Sequence, residues 1–494
     1  MWSAAASRRF SSSRLAGARS RAGLHGVLCL LALLLGGCTV GPNYKRPDAP
    51  VPTDYKESAN FKTAEPGDAL AKGKWWEIYG DPQLNALEDQ IAVSNQTLKA
   101  AQAQFAEARA AVSTVRASYF PTVTGSASVS GNRLSQNRAL ASVNARGNYA
   151  DYQFPPIDVA WEPDVWGRVR RSVEAARAEA QATAADLANT ELSLQAELAL
   201  DYFQLRGLDS QQQLLDSTVS SYQRAYELTD SRYKGGVASA VDVAQAQTQL
   251  ETTRAEAADI AVDRAAFEHA IAVLVGKAPA EFSQQSAPLT VPPPAIPAGL
   301  PSLLLERRPD IAAAERRVQE ANAQIGVARA AYFPIFSLTG GGGFESSQIH
   351  NLLSGPSGFW SLAGSAAELI FDGGLRRGIT EEARANYDKS VDTYRQTTLT
   401  AFQEVEDNLA ALRILQNEAQ IQEGAVAAAQ HSLDLSNNRY KGGVANYLEV
   451  TTAQSAALGD ERAAVDILTR RMAASVLLIK ALGGSWNASQ LPRL

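Results

Sequence analysis

The sequence predicts an α+β membrane protein built from two tandem repeats, and three observations carry that prediction. One phrase, Arg232-Tyr233-Lys234-Gly235-Gly236-Val237-Ala238, returns as Arg439-Tyr440-Lys441-Gly442-Gly443-Val444-Ala445 about 207 positions later. Each copy lies between long, polar, Ala-rich stretches of helical period. Each half also holds a pair of period-two segments rich in Gly, Ser and Thr. A Gly-Gly pair supplies the φ > 0 positions that end a helix and reverse it, so each phrase reads as the tip of a helical hairpin. Seven identical residues at matched places mark a duplication.

The totals favour an elongated molecule. Of 494 residues 45% are hydrophobic, but much of that is Ala, and 14 Phe and 7 Trp are few for a thick globular core. Helices packed side by side through small residues fit better. Formal charge is −6. Arg8, Arg9, Arg14, Arg19 and Arg21 precede any acid, so the chain beyond residue 37 is more acidic still. An acidic surface excludes nucleic acid as a partner.

The arginines, the apolar run Val27 to Leu35 and the small pair Gly36-Gly37 form a secretory signal over residues 1–37. The run is too short to span a membrane. Leu35-Gly36-Gly37-Cys38 resembles a bacterial lipobox, in which the Cys38 thiol is acylated and becomes the new N-terminus. Several acyl chains anchor stably where one does not. Thr39 resembles the residue that sorts lipoproteins to the outer membrane. Cys29 leaves with the signal, so a disulfide is excluded by count.

Residues 38–80 read as an extended leader without a core, closing on the aromatic cluster Trp75-Trp76. The first repeat, 81–277, opens at Asp81-Pro82, with Pro in the first turn. A helix follows over Gln83 to Ser118, with Leu84, Leu87, Ile91, Leu98, Phe105 and Val112 at helical spacing. Tyr119-Phe120-Pro121 stops it. Val123, Gly125, Ala127 and Val129 alternate with Thr and Ser and predict a strand with one wet face. A polar loop (132–150) leads to a second strand, Tyr152 to Trp161, interrupted by Pro155-Pro156. A proline-free run from Arg168 to Tyr233 predicts a helix roughly 100 Å long. Val241 to Leu274 is the shorter return. A Pro-rich linker, 278–306, crosses the outside. The second repeat, 307–484, restates the order: a helix ending at Tyr332-Phe333-Pro334, strands Ile335 to Phe344 and Phe359 to Phe371 around a loop, a long helix, the tip, and a return over Leu448 to Leu482. Residues 485–494 are a tail. Aromatics (Tyr119, Phe120, Trp161, Trp166, Tyr332, Phe333, Phe359, Trp360, Phe371) mark the strand ends, as in membrane-interface girdles.

This organisation resembles the TolC family of outer-membrane efflux channels, its lipoprotein branch (OprM and NodT relatives) most of all. The residues carrying the likeness are Gly41-Pro42-Asn43-Tyr44-Lys45-Arg46-Pro47, Trp75-Trp76, Arg307-Arg308-Pro309-Asp310-Ile311, Ala321-Asn322-Ala323-Gln324-Ile325-Gly326, Tyr332-Phe333-Pro334 and the two tip phrases. They cover nearly the whole chain beyond the signal. The resemblance implies a homotrimer whose four strands per chain form one shared 12-stranded barrel, continued by a helical cylinder through the periplasm. It implies a passive duct for small toxic compounds, served by a periplasmic adaptor and an inner-membrane pump, with outer-membrane lipid around the barrel. Chemistry agrees: four strands alone leave two raw edges in lipid.

The resemblance also assigns residues. Gly235, Gly236, Val237, Gly442, Gly443 and Val444 would form the surface on which the adaptor docks, besides capping helices. Asp242 and Glu449 match gate acids, and Tyr440 matches a gate tyrosine. On a three-fold axis such acids form carboxylate rings that favour cations, although an acid in a first helical turn needs no duty beyond the dipole. Ala445 and Thr452 stand where relatives often carry a charged partner and a second acid, which argues against a gate closed by salt bridges. Arg170-Arg171 and Arg376-Arg377 read as solvated or headgroup-facing charges. Gly340 to Gly343 lacks a following Gly-Lys-Ser/Thr and reads as strand glycine, not a phosphate loop. His25, His269, His350 and His431 are scattered. No catalytic, cofactor or metal constellation is present, so no enzyme is expected. A periplasmic adaptor or scaffold lipoprotein would show one hairpin inside a β-domain, whereas this chain has two hairpins and two strand pairs. A protein-secretion duct of the same fold is the nearer alternative.

Overall fold

The computed structural model describes residues 39–57, 73–133, 135, 148–296 and 304–494. The signal segment and Cys38 lie outside the described residues, as do parts of the leader, the first polar loop and the linker. Helix α1 (Pro82–Ser94) begins where expected, with the Asp81 carboxylate accepting the Gln83 and Leu84 amides. The single helix expected to Ser118 is instead two, and α2 (Gln96–Arg116) restarts after Asn95. Asn95 is extended and buried. Its side chain accepts the Leu98 amide at 2.9 Å and donates to the Leu274 carbonyl at 2.8 Å. One side chain thus caps a helix and ties it to a neighbour, which favours a break there.

The first expected strand is also two pieces, β1 (Thr122–Gly125) and β2 (Ser128–Arg133). Both pair with β3 (Asn148–Trp161). The cause lies opposite the break. Pro155-Pro156 cannot donate to the ladder, the β3–β4 register shifts between Phe154 and Ile157, and Ser126 turns its amide to the Pro156 carbonyl. Next come α3 (Arg168–Lys234, 67 residues) and α4 (Ala240–Leu274, 35 residues). One helical turn at Leu304–Arg307 precedes α5 (Pro309–Ala330), β4 (Ile335–Ser346) and β5 (Gly358–Ala367). The last strand ends four residues before the expected Phe371, leaving Ile370 and Phe371 exposed. The chain closes with α6 (Leu375–Lys441, 67 residues) and α7 (Tyr447–Ala481, 35 residues).

The sheet has four lanes in the order β1/β2, β3, β4, β5, all antiparallel. No helix covers it. Alternation and register give it two unlike faces. Val123, Val129, Ile157, Val159, Leu338, Trp360 and Leu362 share one face, and Trp360 is 82% exposed. Thr122, Thr124, Asp158, Thr339, Ser361 and Ser365 share the other, where Ser337 and Ser365 hydroxyls meet at 2.7 Å. The glycine run lies within β4, as read from sequence. At the strand–helix junction Trp166 stacks on Phe333 with centroids 4.8 Å apart.

The main core lies partway down the long helices, around Trp75, Leu198, Tyr202, Tyr394, Val405 and Ile479. The leader, expected to have no core of its own, is laced onto it. Tyr44 donates to Glu315, Asn322 donates to the Pro42 carbonyl, and Arg46 reaches the Tyr394 hydroxyl. Gly41 has φ +101° and crosses so near Gly326 that a Cβ on it would fall 2.5 Å from the Gly326 Cα, while a Cβ on Gly326 would press on the Arg171 side chain. Arg171, read as a solvated charge, is only 3% exposed. Its guanidinium binds the Val40 and Gly41 carbonyls, Asn43 and Glu174. Arg170 and Arg376 pair with Asp164 and Asp372, and only Arg377 is largely exposed. The linker is held similarly: buried Asp209 accepts from Arg206, Arg264 and the Ala287 amide.

Candidate functional site at the helical tips

Both hairpins turn by the same device. Gly235 closes α3 in a right-handed conformation and Gly236 supplies the positive φ, +74°. The Val237 amide bonds the Arg232 carbonyl at 2.8 Å and the Gly236 amide the Tyr233 carbonyl at 2.9 Å. That is a Schellman closure. Gly442, Gly443 and Val444 repeat it, with φ +75° at Gly443. Only the second glycine of each pair has positive φ, not both as the sequence suggested. Around the first glycines, Gly235 and Gly442, a Cβ would meet ordinary contacts only. Turn geometry therefore does not require them. Val237 and Val444 are each about 70% exposed, so both tips present a Val beside bare backbone.

The acids occupy matched places but different bonds. Asp242 completes a capping box with Ser239, whose hydroxyl accepts the Asp242 amide while the carboxylate takes the Ser239 amide. Its other oxygen accepts the Tyr447 amide at 3.4 Å, across to the second hairpin. Asn446 caps α7 instead. Glu449 is left free to pair with Arg439, 2.9 Å away, both about half exposed. Glu449 thus stands at the tip with its own cation rather than as a bare carboxylate.

Tyr440 is 6% exposed, edge-on to Tyr447 at 5.1 Å, beneath the Arg232 guanidinium at 4.9 Å. Its hydroxyl donates to Thr229 at 3.3 Å, and Arg232 also bonds the Lys441 carbonyl. Burial pushes the Tyr447 hydroxyl up to about 12. Tyr440 therefore joins the two hairpins of one chain. Ala445 makes no charged contact, and the Thr452 hydroxyl bonds its own helix at Leu448. Sequence reasoning missed Arg232, Thr229 and Tyr447. Extending the two phrases would have found the last, since Tyr447 stands where the first copy has Ala240.

A two-faced sheet running into helices of this length, with reversing tips, is matched by known proteins. The model of the family described as "Outer membrane efflux protein" matches residues 87–277 and 300–484. The chain belongs to that family. It is 34% identical to the outer membrane protein OprJ of Pseudomonas aeruginosa over 93% of this chain and 95% of that one. It is 32% identical to the probable efflux pump outer membrane protein TtgC of Pseudomonas putida over similar spans. The solved structure of the outer-membrane channel OprN superposes with TM-score 0.85 at 31% identity, covering 90% of this chain and 99% of that one. The Campylobacter jejuni CmeC channel gives TM-score 0.86 at 25% identity, covering 92% and 96%. As a member of the outer membrane efflux proteins, the chain is an efflux channel of the outer membrane. Among its described residues no helix is long and apolar enough to cross a membrane.

Proposed function

We propose that three copies of this chain form a passive exit duct for small toxic compounds, fed by an inner-membrane pump through a periplasmic adaptor. The uncovered sheet carries this reading. One face is apolar and exposed, the other is lined by hydroxyls and acids, and both edges lack partners among the described residues. Lipid outside, water inside and closure by further copies satisfy all three conditions at once. Three four-lane sheets make a 12-stranded barrel, and the helices continue its lumen towards the periplasm.

The tips Gly235, Gly236, Val237, Gly442, Gly443 and Val444 are the adaptor-docking surface. The first glycine of each pair, not needed for the turn, supports this. Asp242, Glu449 and Tyr440 form the gate network, Tyr440 as a link between hairpins and the acids at the rim. Cys38 carries the lipid anchor. The Val40 amide bonds the Trp166 carbonyl where the strands meet the helices, so the described start of the leader sits at that junction.

Complementation tests the reading. A strain lacking the gene is expected to become sensitive to small toxic compounds and to recover with the intact chain. It should not recover with Val237→Asp/Val444→Asp, although that variant still assembles in the outer membrane. Recovery with altered tips would discard the docking surface. Unchanged sensitivity on deletion, across a wide panel of compounds, would discard the duct.

A further inference from the structure

Arg206 of α3 and Arg413 of α6 occupy matched positions in the two repeats, separated by the same interval as the tip phrases. Each stands roughly 42 Å from the tip end of its helix, at 1.5 Å per residue. Each also clasps an extended segment that passes its hairpin, the linker at Arg206 and the leader at Arg413. The two clasps are built differently. On the first hairpin the linker is locked. The Arg206 guanidinium donates to the Gln285 carbonyl at 2.6 Å and pairs with Asp209 at 3.1 Å, both side chains at most 4% exposed. Around them Asp209 accepts the Ala287 amide, Ser210 the Leu289 amide and Glu268 the Gln284 amide, while Arg264 donates to the Gln284 carbonyl.

On the second hairpin the leader is held more openly. Tyr55 is buried and joins the main core. Just after it the Glu406 carboxylate accepts the Lys56 and Glu57 amides at 2.7 and 3.0 Å, and the Glu57 carboxylate accepts from Arg413 at 2.6 Å. The Arg413 side chain is 40% exposed and that of Glu57 20%. A pair this open contributes little in itself, but its position multiplies its effect. Towards the membrane α6 packs on α5, and Arg308 at the start of α5 grips Glu404 at 2.6 Å. Towards the tip α6 packs on α7. The second hairpin meets the first through α7 and at the tip, where Tyr440 bonds Thr229. On an arm of roughly 42 Å, a pivot of about five degrees at Arg413 moves the tip by about 4 Å.

We propose that the leader is a releasable brace on the second hairpin. Glu57 on Arg413 limits the pivot of α6, and its release lets the joint between Tyr440 and Thr229 open while the linker keeps the first hairpin fixed. Resting on the gate reading above, this gives the gate a control about 40 Å from the tips. That control lies on the segment that follows the proposed lipid anchor.

Thiol labelling tests the brace. Thr229 is 0% exposed, so the thiol of Thr229→Cys reacts when the joint opens. The parent protein without that substitution gives the background from Cys38. In the assembled protein, adding Glu57→Ala or Arg413→Ala is expected to raise the labelling rate about threefold to fivefold. Exchanging the two charges, Glu57→Arg with Arg413→Glu, should return it to the rate of Thr229→Cys alone. Unchanged labelling in both single-charge variants, or a rise that the exchange does not reverse, would overturn the brace. Conductance of the same variants separates the two readings. Faster labelling, reversed by the exchange, in an assembly that conducts nothing would keep the brace and overturn the duct.

Discussion

The two tips share seven identical residues and one turn geometry, yet their tyrosines live in opposite surroundings. Tyr233 is 47% exposed, whereas Tyr440 is 6% exposed. The difference arises outside the repeated phrase. Tyr447 covers Tyr440, and at the matched place the first copy has Ala240. Arg232 of the first phrase lies over Tyr440, while its counterpart Arg439 pairs with Glu449. Both copies of the phrase make the same turn, since that depends on backbone bonds within the phrase. Roles diverged because they depend on the next few residues and on which hairpin lies alongside.

The comparison is broken most strongly by Tyr447→Ala, which empties a buried site. A loss of about 3–5 kcal/mol is expected for a buried aromatic. Hydrogen exchange should show it as faster opening of both tips, because the Tyr447 ring packs edge-on to Tyr440, whose hydroxyl bonds Thr229 of the first hairpin. Unchanged protection would mean that the tyrosine pair is not what holds the hairpins together.

High pH should separate the tips next. Burial raises the Tyr447 hydroxyl to about 12, whereas an unfolded tyrosine ionises near pH 10. From about pH 10 to 12 the opened state loses protons first, so stability at the second tip falls as pH rises. The same exchange measurement across that range should show the second tip loosening before the first. Equal loosening would contradict the buried assignment.

Ser239→Ala removes the first tip's cap and should cost about 1 kcal/mol, read as fraying at the start of α4. Glu449→Ala breaks a half-exposed pair and should change stability by less than about 1 kcal/mol, with the change fading at high salt. Tyr233→Ala is expected to stay within about 0.5 kcal/mol of the parent protein. A loss as large as that of Tyr447→Ala would erase the distinction between the tips.

Much of this was legible because it is local. Helical period over Arg168 to Tyr233, alternation over Thr122 to Ser130 and Gly-Gly at the tips each state their structure within a few residues. The breaks were not legible. Asn95 divides a continuous helical pattern because of a carbonyl at Leu274, and the β1–β2 gap is set by prolines on the facing strand. Arg171 resembles any charge at a helix start, and only the folded leader shows that it is buried. At the tips, the family resemblance singled out Asp242, Glu449 and Tyr440. That Glu449 comes with Arg439 and Tyr440 faces its own chain follows from tertiary contacts alone.

Conductance of the purified protein in planar bilayers tests the central claim most directly. The account predicts discrete channel events from a folded three-copy assembly, cation-selective at the acidic tips, with Glu449→Ala and Asp242→Ala raising conductance or weakening selectivity. Channel events indifferent to both substitutions would leave the duct and remove the acids from its gate. A folded assembly that conducts nothing, even with its tips altered, would contradict the duct itself.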